Sequence, residues 1–196
     1  MIGLLESIRF RLAAAGTAGF RRTMQSFSKE PLDPYGVPSP AVKKMAAEAW
    51  REVRHWPPAR RNQFCNALWK SGRDEEGTLA VYLYQRFARQ CGKCEFRLFE
   101  SWIDRYVRNW GHCDGVAHYL ISAAIAREPA LSAELVAWTA SPNRWKRRAA
   151  AVALVHEARA GRQSARIREI TRRLARDPDE LVRKAVRWLG RESGRL

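Results

Sequence analysis

Two stretches decide the fold: Ser141-Pro142-Asn143-Arg144-Trp145-Lys146-Arg147-Arg148-Ala149-Ala150 and Asp177-Pro178-Asp179-Glu180-Leu181-Val182-Arg183-Lys184-Ala185-Val186. Each opens with a residue type that caps helix N-termini, followed by proline, which is tolerated at a first helical position. The two starts lie 36 residues apart, and in that register Arg148-Ala149-Ala150 falls on Lys184-Ala185-Val186. Helix pairs recurring every ~35–45 residues mark α-solenoids of the HEAT type. The expectation is an all-α protein whose HEAT-like repeats form a curved α-solenoid with a basic concave face. Equivalent positions of successive repeats line that face, which sets Arg148 beside Lys184, with Trp188 one turn further on.

Working outward, the rest of the chain also reads as helices, with no sustained strand-like alternation. Ser39-Pro40 starts a helix to about Arg54, and Pro57-Pro58 starts one to about Lys70. Another opens at Arg73 to Glu76 and reaches about Gln90, and a further one spans about Cys94 to Val107. The helix that starts at Trp110 runs to about Arg127, Pro129 begins a short one to about Thr139, and Gly161 separates the helix before it from the next, about Ser164 to Arg176. Ser28 to Pro40, with four prolines and Gly36, is a loop. It joins an N-terminal helical pair (1–30) to the repeats (31–196), the whole being one domain. The opening MIGLLESIRFRLAAAG is an amphipathic helix and not a signal peptide, because Glu6, Arg9 and Arg11 interrupt it.

Charge narrows the partner. Lys and Arg number 36 against 20 acids, for a net charge of +16 in 196 residues. Such a balance expects a polyanion, with nucleic acid ahead of membrane. No apolar run approaches the ~18 residues of a spanning helix, so a cytoplasmic, nucleoid-associated protein is expected. Cys91 and Cys94 form a lone C-x-x-C without a second ligand pair, which is weak grounds for a metal. No cofactor is expected.

Asp114 stands out as an acid in this basic setting. It follows Trp110 by four residues, so the two share a helix face. An aspartate early in a helix also complements the dipole, and that alone accounts for it without chemistry. Arg144, Lys146, Arg147 and Arg148 follow a helix start, and the cluster recurs as Arg183, Lys184, Arg187 and Arg191. These are candidate phosphate contacts, which place a protein on DNA without reading sequence. The competing reading is a solvated face. Trp102 and Trp138 are assigned to packing, and no histidine has a triad partner that spacing identifies.

Several segments in order resemble the AlkD-like alkylpurine DNA glycosylases, a HEAT-like-repeat family of DNA alkylation repair enzymes. They are Tyr35-Gly36-Val37 ahead of Lys43 and Lys44, Trp110-x-x-x-Asp114, Trp145-Lys146-Arg147-Arg148-Ala149-Ala150, and Ala185 to Glu192. The resemblance runs from about Pro31 onward. The N-terminal helices match poorly, and the chain ends soon after Trp188. The resemblance implies hydrolysis of the N-glycosidic bond of N3- and N7-alkylated purines in duplex DNA by a monomer, without base flipping. It assigns Asp114, Trp110 and Trp188 to the catalytic site and makes Arg148 the active-site arginine, expected to anchor the phosphates flanking the lesion. Arg144, Lys146, Arg147, Lys184, Arg187, Lys43 and Lys44 complete the expected DNA contacts. The alternative is a non-catalytic HEAT-like protein that binds damaged, bent or branched DNA.

Overall fold

The computed structural model describes residues 1–194. Among them every regular element is a helix, and no helix is long and apolar enough to cross a membrane. The architecture is the expected all-α helical-repeat fold. The chain forms two compact units, Met1–Arg86 and a second that begins at Phe87.

The first unit holds α1 (Ile2–Ala15), α2 (Ala18–Ser26), α3 (Ser39–Val53), α4 (Pro58–Lys70) and α5 (Asp74–Gln85). Thr17 caps α2 by accepting the Phe20 N–H, and prolines stand in the first turns of α3 and α4. Helix α5 packs on α3 and α4 over a core that includes Val42, Phe64, Leu68, Leu79 and Leu83.

The first turn of α5 is Asp74-Glu75-Glu76, and all three acids are buried. Each has a partner in the preceding segments. Glu75 accepts the N–H groups of Tyr35, Gly36 and Val37, each at 2.8 Å. Asp74 accepts the Asp33 N–H at 2.9 Å. Glu76 takes Arg9 at 3.1 Å and the Tyr35 hydroxyl at 2.7 Å. Burial, and then the Glu76 carboxylate, push the Tyr35 phenol up to about 12. Gly36 is required here, since its φ is +88° and a Cβ would lie 2.3 Å from the Thr17 carbonyl oxygen.

The second unit contains α6 (Lys93–Arg105), α7 (Trp110–Asp114), α8 (Ser122–Arg127), α9 (Glu134–Trp138), α10 (Arg144–Val152), α11 (Val155–Arg159), α12 (Ser164–Leu174) and α13 (Glu180–Ser193). Short 3-10 turns cover Ala88–Gln90 and Pro129–Ala133. A π-helical segment, Gly115–Ile121, joins α7 to α8. Helix α10 packs on α13 and also on α7 and the π segment, while α12 packs on α13 and α10.

Three equivalent helix starts recur in this unit. Asn109 accepts the His112 N–H at 2.8 Å, Asn143 accepts the Trp145 N–H at 3.0 Å, and Asp179 accepts the Leu181 N–H at 2.7 Å. The caps are therefore Asn143 and Asp179, two residues beyond the expected Ser141 and Asp177. Those two residues build the turn before the helix, Ser141 Oγ accepting the Asn143 N–H and Asp177 Oδ1 the Asp179 N–H. Arg147 then donates to the carbonyls of Ser141 and Pro142, and Arg183, 36 residues on, donates to those of Asp177 and Pro178. The sequence repeat is thus a repeat of individual hydrogen bonds.

Candidate active site

With the three caps aligned, Asp114, Arg148 and Lys184 hold the same position, five residues after the cap, on α7, α10 and α13. Arg148 faces inward and is only 7% exposed. Its Nε donates to Asp114 Oδ1 at 2.8 Å and its Nη2 to Oδ2 at 2.7 Å, while Nη1 donates to the Leu181 carbonyl. One guanidinium thereby ties three successive helices together. Burial opposes its charge, but the hydrogen bonds and proximity of Asp114 more than offset this, and the Arg148 pKa lies above its ordinary value.

Bidentate pairing fixes the plane of the Asp114 carboxylate, and each oxygen keeps acceptor capacity. The Asp114 side chain is 21% exposed, so the held acid is not sealed from solvent. Trp110, one turn before it, is 41% exposed, a large value for an indole in a folded unit. An accessible carboxylate next to an exposed indole can accept a hydrogen bond from water and stabilise a cation.

Trp188 lies on α13 and is half-buried. It meets His118, which is four residues beyond Asp114 in the π segment, with ring centroids 5.1 Å apart. His118 in turn stacks on His156 at 4.0 Å and meets the exposed Tyr119 edge-on at 5.0 Å. Burial, with His156 and Arg159 nearby, lowers the His118 pKa to about 4. Burial followed by Arg159 lowers that of His156. Trp102 and Trp138 are buried.

The expected phosphate contacts divide into two groups. Arg144 pairs with Asp179 at 3.2 Å and lies over Trp145. Lys146 reaches Glu100 at 3.0 Å and Asp104 at 2.9 Å, and Arg147 reaches Asp177 at 2.7 Å. Arg187 pairs with Glu180 at 2.6 Å. The charges of these four are committed at least partly within the fold, and that of Arg148 to Asp114. Lys184 is exposed, as are Lys43 and Lys44 on α3 of the first unit, and none of the three makes a salt bridge among the described residues, although Lys44 lies near Glu48.

Sequence reasoning missed the aromatic stack around His118, although the four-residue step from Asp114 to His118 was available as a signal. It also missed the acidic partners of Arg144, Lys146, Arg147 and Arg148, which lie 30 to 46 residues away and have no local signature. Cys91 is buried and donates to the Phe87 carbonyl, and Cys94 is exposed. No group of three or more metal-ligating side chains occurs among the described residues.

No curated protein matches the chain. Among solved structures, a predicted DNA alkylation repair enzyme from Enterococcus faecalis is similar in fold, with a TM-score of 0.80 and 16% sequence identity. The similarity covers 92% of this chain and 84% of that one. The family model described as DNA alkylation repair enzyme matches residues 8–195, nearly the whole length, and the chain therefore belongs to the DNA alkylation repair enzyme family.

Proposed function

We propose that this protein is a monofunctional DNA glycosylase that releases N3- and N7-alkylated purines from duplex DNA. One observation carries the reading: Asp114 is gripped through both oxygens by the buried Arg148, yet its side chain stays partly exposed, one turn from the exposed Trp110.

An N3- or N7-alkylated purine is already cationic. When the bond from C1′ to the base nitrogen breaks, its electron pair moves to the base, which leaves neutral. No general acid is needed, and nothing has to read the edges of the base. The lesion can then react while still stacked in the duplex, unlike the substrates of flipping glycosylases. The demanding part is the sugar, which becomes oxocarbenium-like as in glycoside hydrolysis. A carboxylate held in place before the reaction stabilises this developing charge more than it stabilises the ground state. Asp114 fills that role, and its remaining acceptor capacity orients a water. The water oxygen bonds to C1′ and loses a proton, leaving an abasic site and a free base. Trp110 and Trp188 pack against the sugar and backbone, and their π faces favour the cation. Arg148 serves chiefly by holding Asp114, and backbone contacts fall first to Lys184, Lys43 and Lys44.

The test is single-turnover release of 7-methylguanine from methylated duplex. Asp114→Asn keeps its affinity for abasic DNA and loses activity by about 100-fold or more, the scale of one removed electrostatic stabiliser. An undiminished rate rejects the mechanism. A wild-type protein that binds duplex tightly but releases no alkylated base is instead a non-catalytic DNA-binding relative, in which the Asp114–Arg148 pair only joins helices.

A further inference from the structure

Trp188 depends for its orientation on neighbours outside the motif that contains it. Trp188 is half-buried one turn beyond the exposed Lys184, and its ring meets that of His118. His118 is itself tightly held. Its ring lies 24° from parallel to His156, donates to the Val152 carbonyl, and meets Tyr119 at 72°. Its Nδ1 is buried with no hydrogen-bond partner. A lone buried acceptor among aromatic rings costs stability, and a phenyl ring would avoid that cost. A phenyl ring would also give up the bond to the Val152 carbonyl, so the imidazole is anchored through one nitrogen and unsatisfied at the other. The residue sits in a π-helical segment one turn after Asp114, and π segments recur at functional sites.

We infer that His118 is a positioning residue, its imidazole wedged between His156 and Trp188 so that it sets the tilt of the Trp188 indole. In its consequence for catalysis the inference rests on the glycosylase reading. The stack joins the π segment after Asp114, the residue His156 of α11, and α13. It thus couples the position of one expected catalytic residue to the helix that carries another. The imidazole is neutral near pH 7, so it adds no positive charge where a cationic nucleotide has to approach.

The experiment uses the full chain labelled with 5-fluorotryptophan, the Trp188 resonance being assigned by its loss in Trp188→Phe. In His118→Ala that resonance shifts and broadens, and single-turnover base release slows about tenfold or more, as expected for a misplaced catalytic group. Affinity for undamaged duplex changes less than about twofold, since no phosphate contact is removed. His118→Phe restores the ring, recovers most of the rate and brings the resonance back toward the wild-type position. It also serves as the folded comparison if the alanine variant does not fold. A Trp188 resonance unmoved in His118→Ala overturns the inference, as does an unmoved rate in an active enzyme. If wild-type protein releases no alkylated base, the glycosylase reading fails, and the resonance alone still decides whether His118 sets the indole.

Discussion

Two carboxylates, Glu75 in the first unit and Asp114 in the second, show how one chemical group takes different work. Glu75 is 2% exposed, and its oxygens take three backbone N–H groups from the Tyr35–Val37 loop. Asp114 takes two donors from a single side chain and stays partly exposed. Glu75 is satisfied by backbone, which no single side-chain substitution in the loop removes. Asp114 is held by one residue, Arg148, so its orientation is set while its capacity to meet a ligand remains. Burial and full satisfaction mark the structural acid, whereas partial exposure and a dedicated holder mark the candidate functional one.

The largest effect that sharpens this contrast is on folding. Glu75→Ala strands three buried N–H groups, and its cost is about 4 kcal/mol by the range for broken buried charged contacts. Thermal and denaturant unfolding measure it, and activity per folded molecule stays unchanged. A stable Glu75→Ala protein breaks the comparison. Asp114→Asn gives a different profile. Its fold is weakened too, by about 3 kcal/mol, because the amide oxygen still accepts one bond from Arg148 but supplies no counter-charge, while base release falls by the factor stated above. If the two variants behaved alike in both assays, the distinction between the two acids would be lost.

A smaller effect separates the cations. Lys184→Ala lowers duplex affinity severalfold and reduces the salt slope by about one, as for one lost phosphate contact. Arg147→Ala, which breaks the pair with Asp177 and the bonds to the Ser141 and Pro142 carbonyls, acts mainly on stability. Binding titrations at several ionic strengths, alongside melting curves, distinguish the two. An equal loss of salt slope in both variants would show that ion pairing within the fold does not remove a cation from DNA.

What the sequence made legible was local. The 36-residue recurrence of Ser141-Pro142 and Asp177-Pro178 is turn chemistry, and turn chemistry is written within a few residues. Its caps were displaced by two because a residue that opens a turn and one that caps a helix are the same types. The cluster from Arg144 to Arg148 looked like a phosphate grip, since charge is visible in sequence and pairing is not. Arg147 finds Asp177 30 residues on, and Arg148 finds Asp114 34 residues back. Only the stacking of successive helices brings these together. The step from Asp114 to His118 is visible in sequence, but His156 and Trp188 lie 38 and 70 residues beyond His118, and only the fold brings the three rings together.

That stack also gives the smallest of the expected effects, and it concerns pH. The His118 pKa is lowered to about 4 in the fold, against ~6.5 for an unfolded histidine. Between those values the unfolded chain binds a proton that the folded chain does not. Stability therefore falls as the pH drops from about 6.5 toward 4, and below 4 this group adds no further loss. Histidine 156 is shifted in the same direction and steepens the fall. Carboxylates also take up protons as the medium becomes acid, so the informative quantity is the difference between two proteins. His118→Phe removes one titrating group while keeping a ring between His156 and Trp188. Its melting temperature should decline less steeply than that of the wild type between pH 6.5 and 4, with the two curves parallel above pH 7. Parallel curves across the whole range would mean that the imidazole ionises as freely in the fold as outside it, and that the stack does not enclose it.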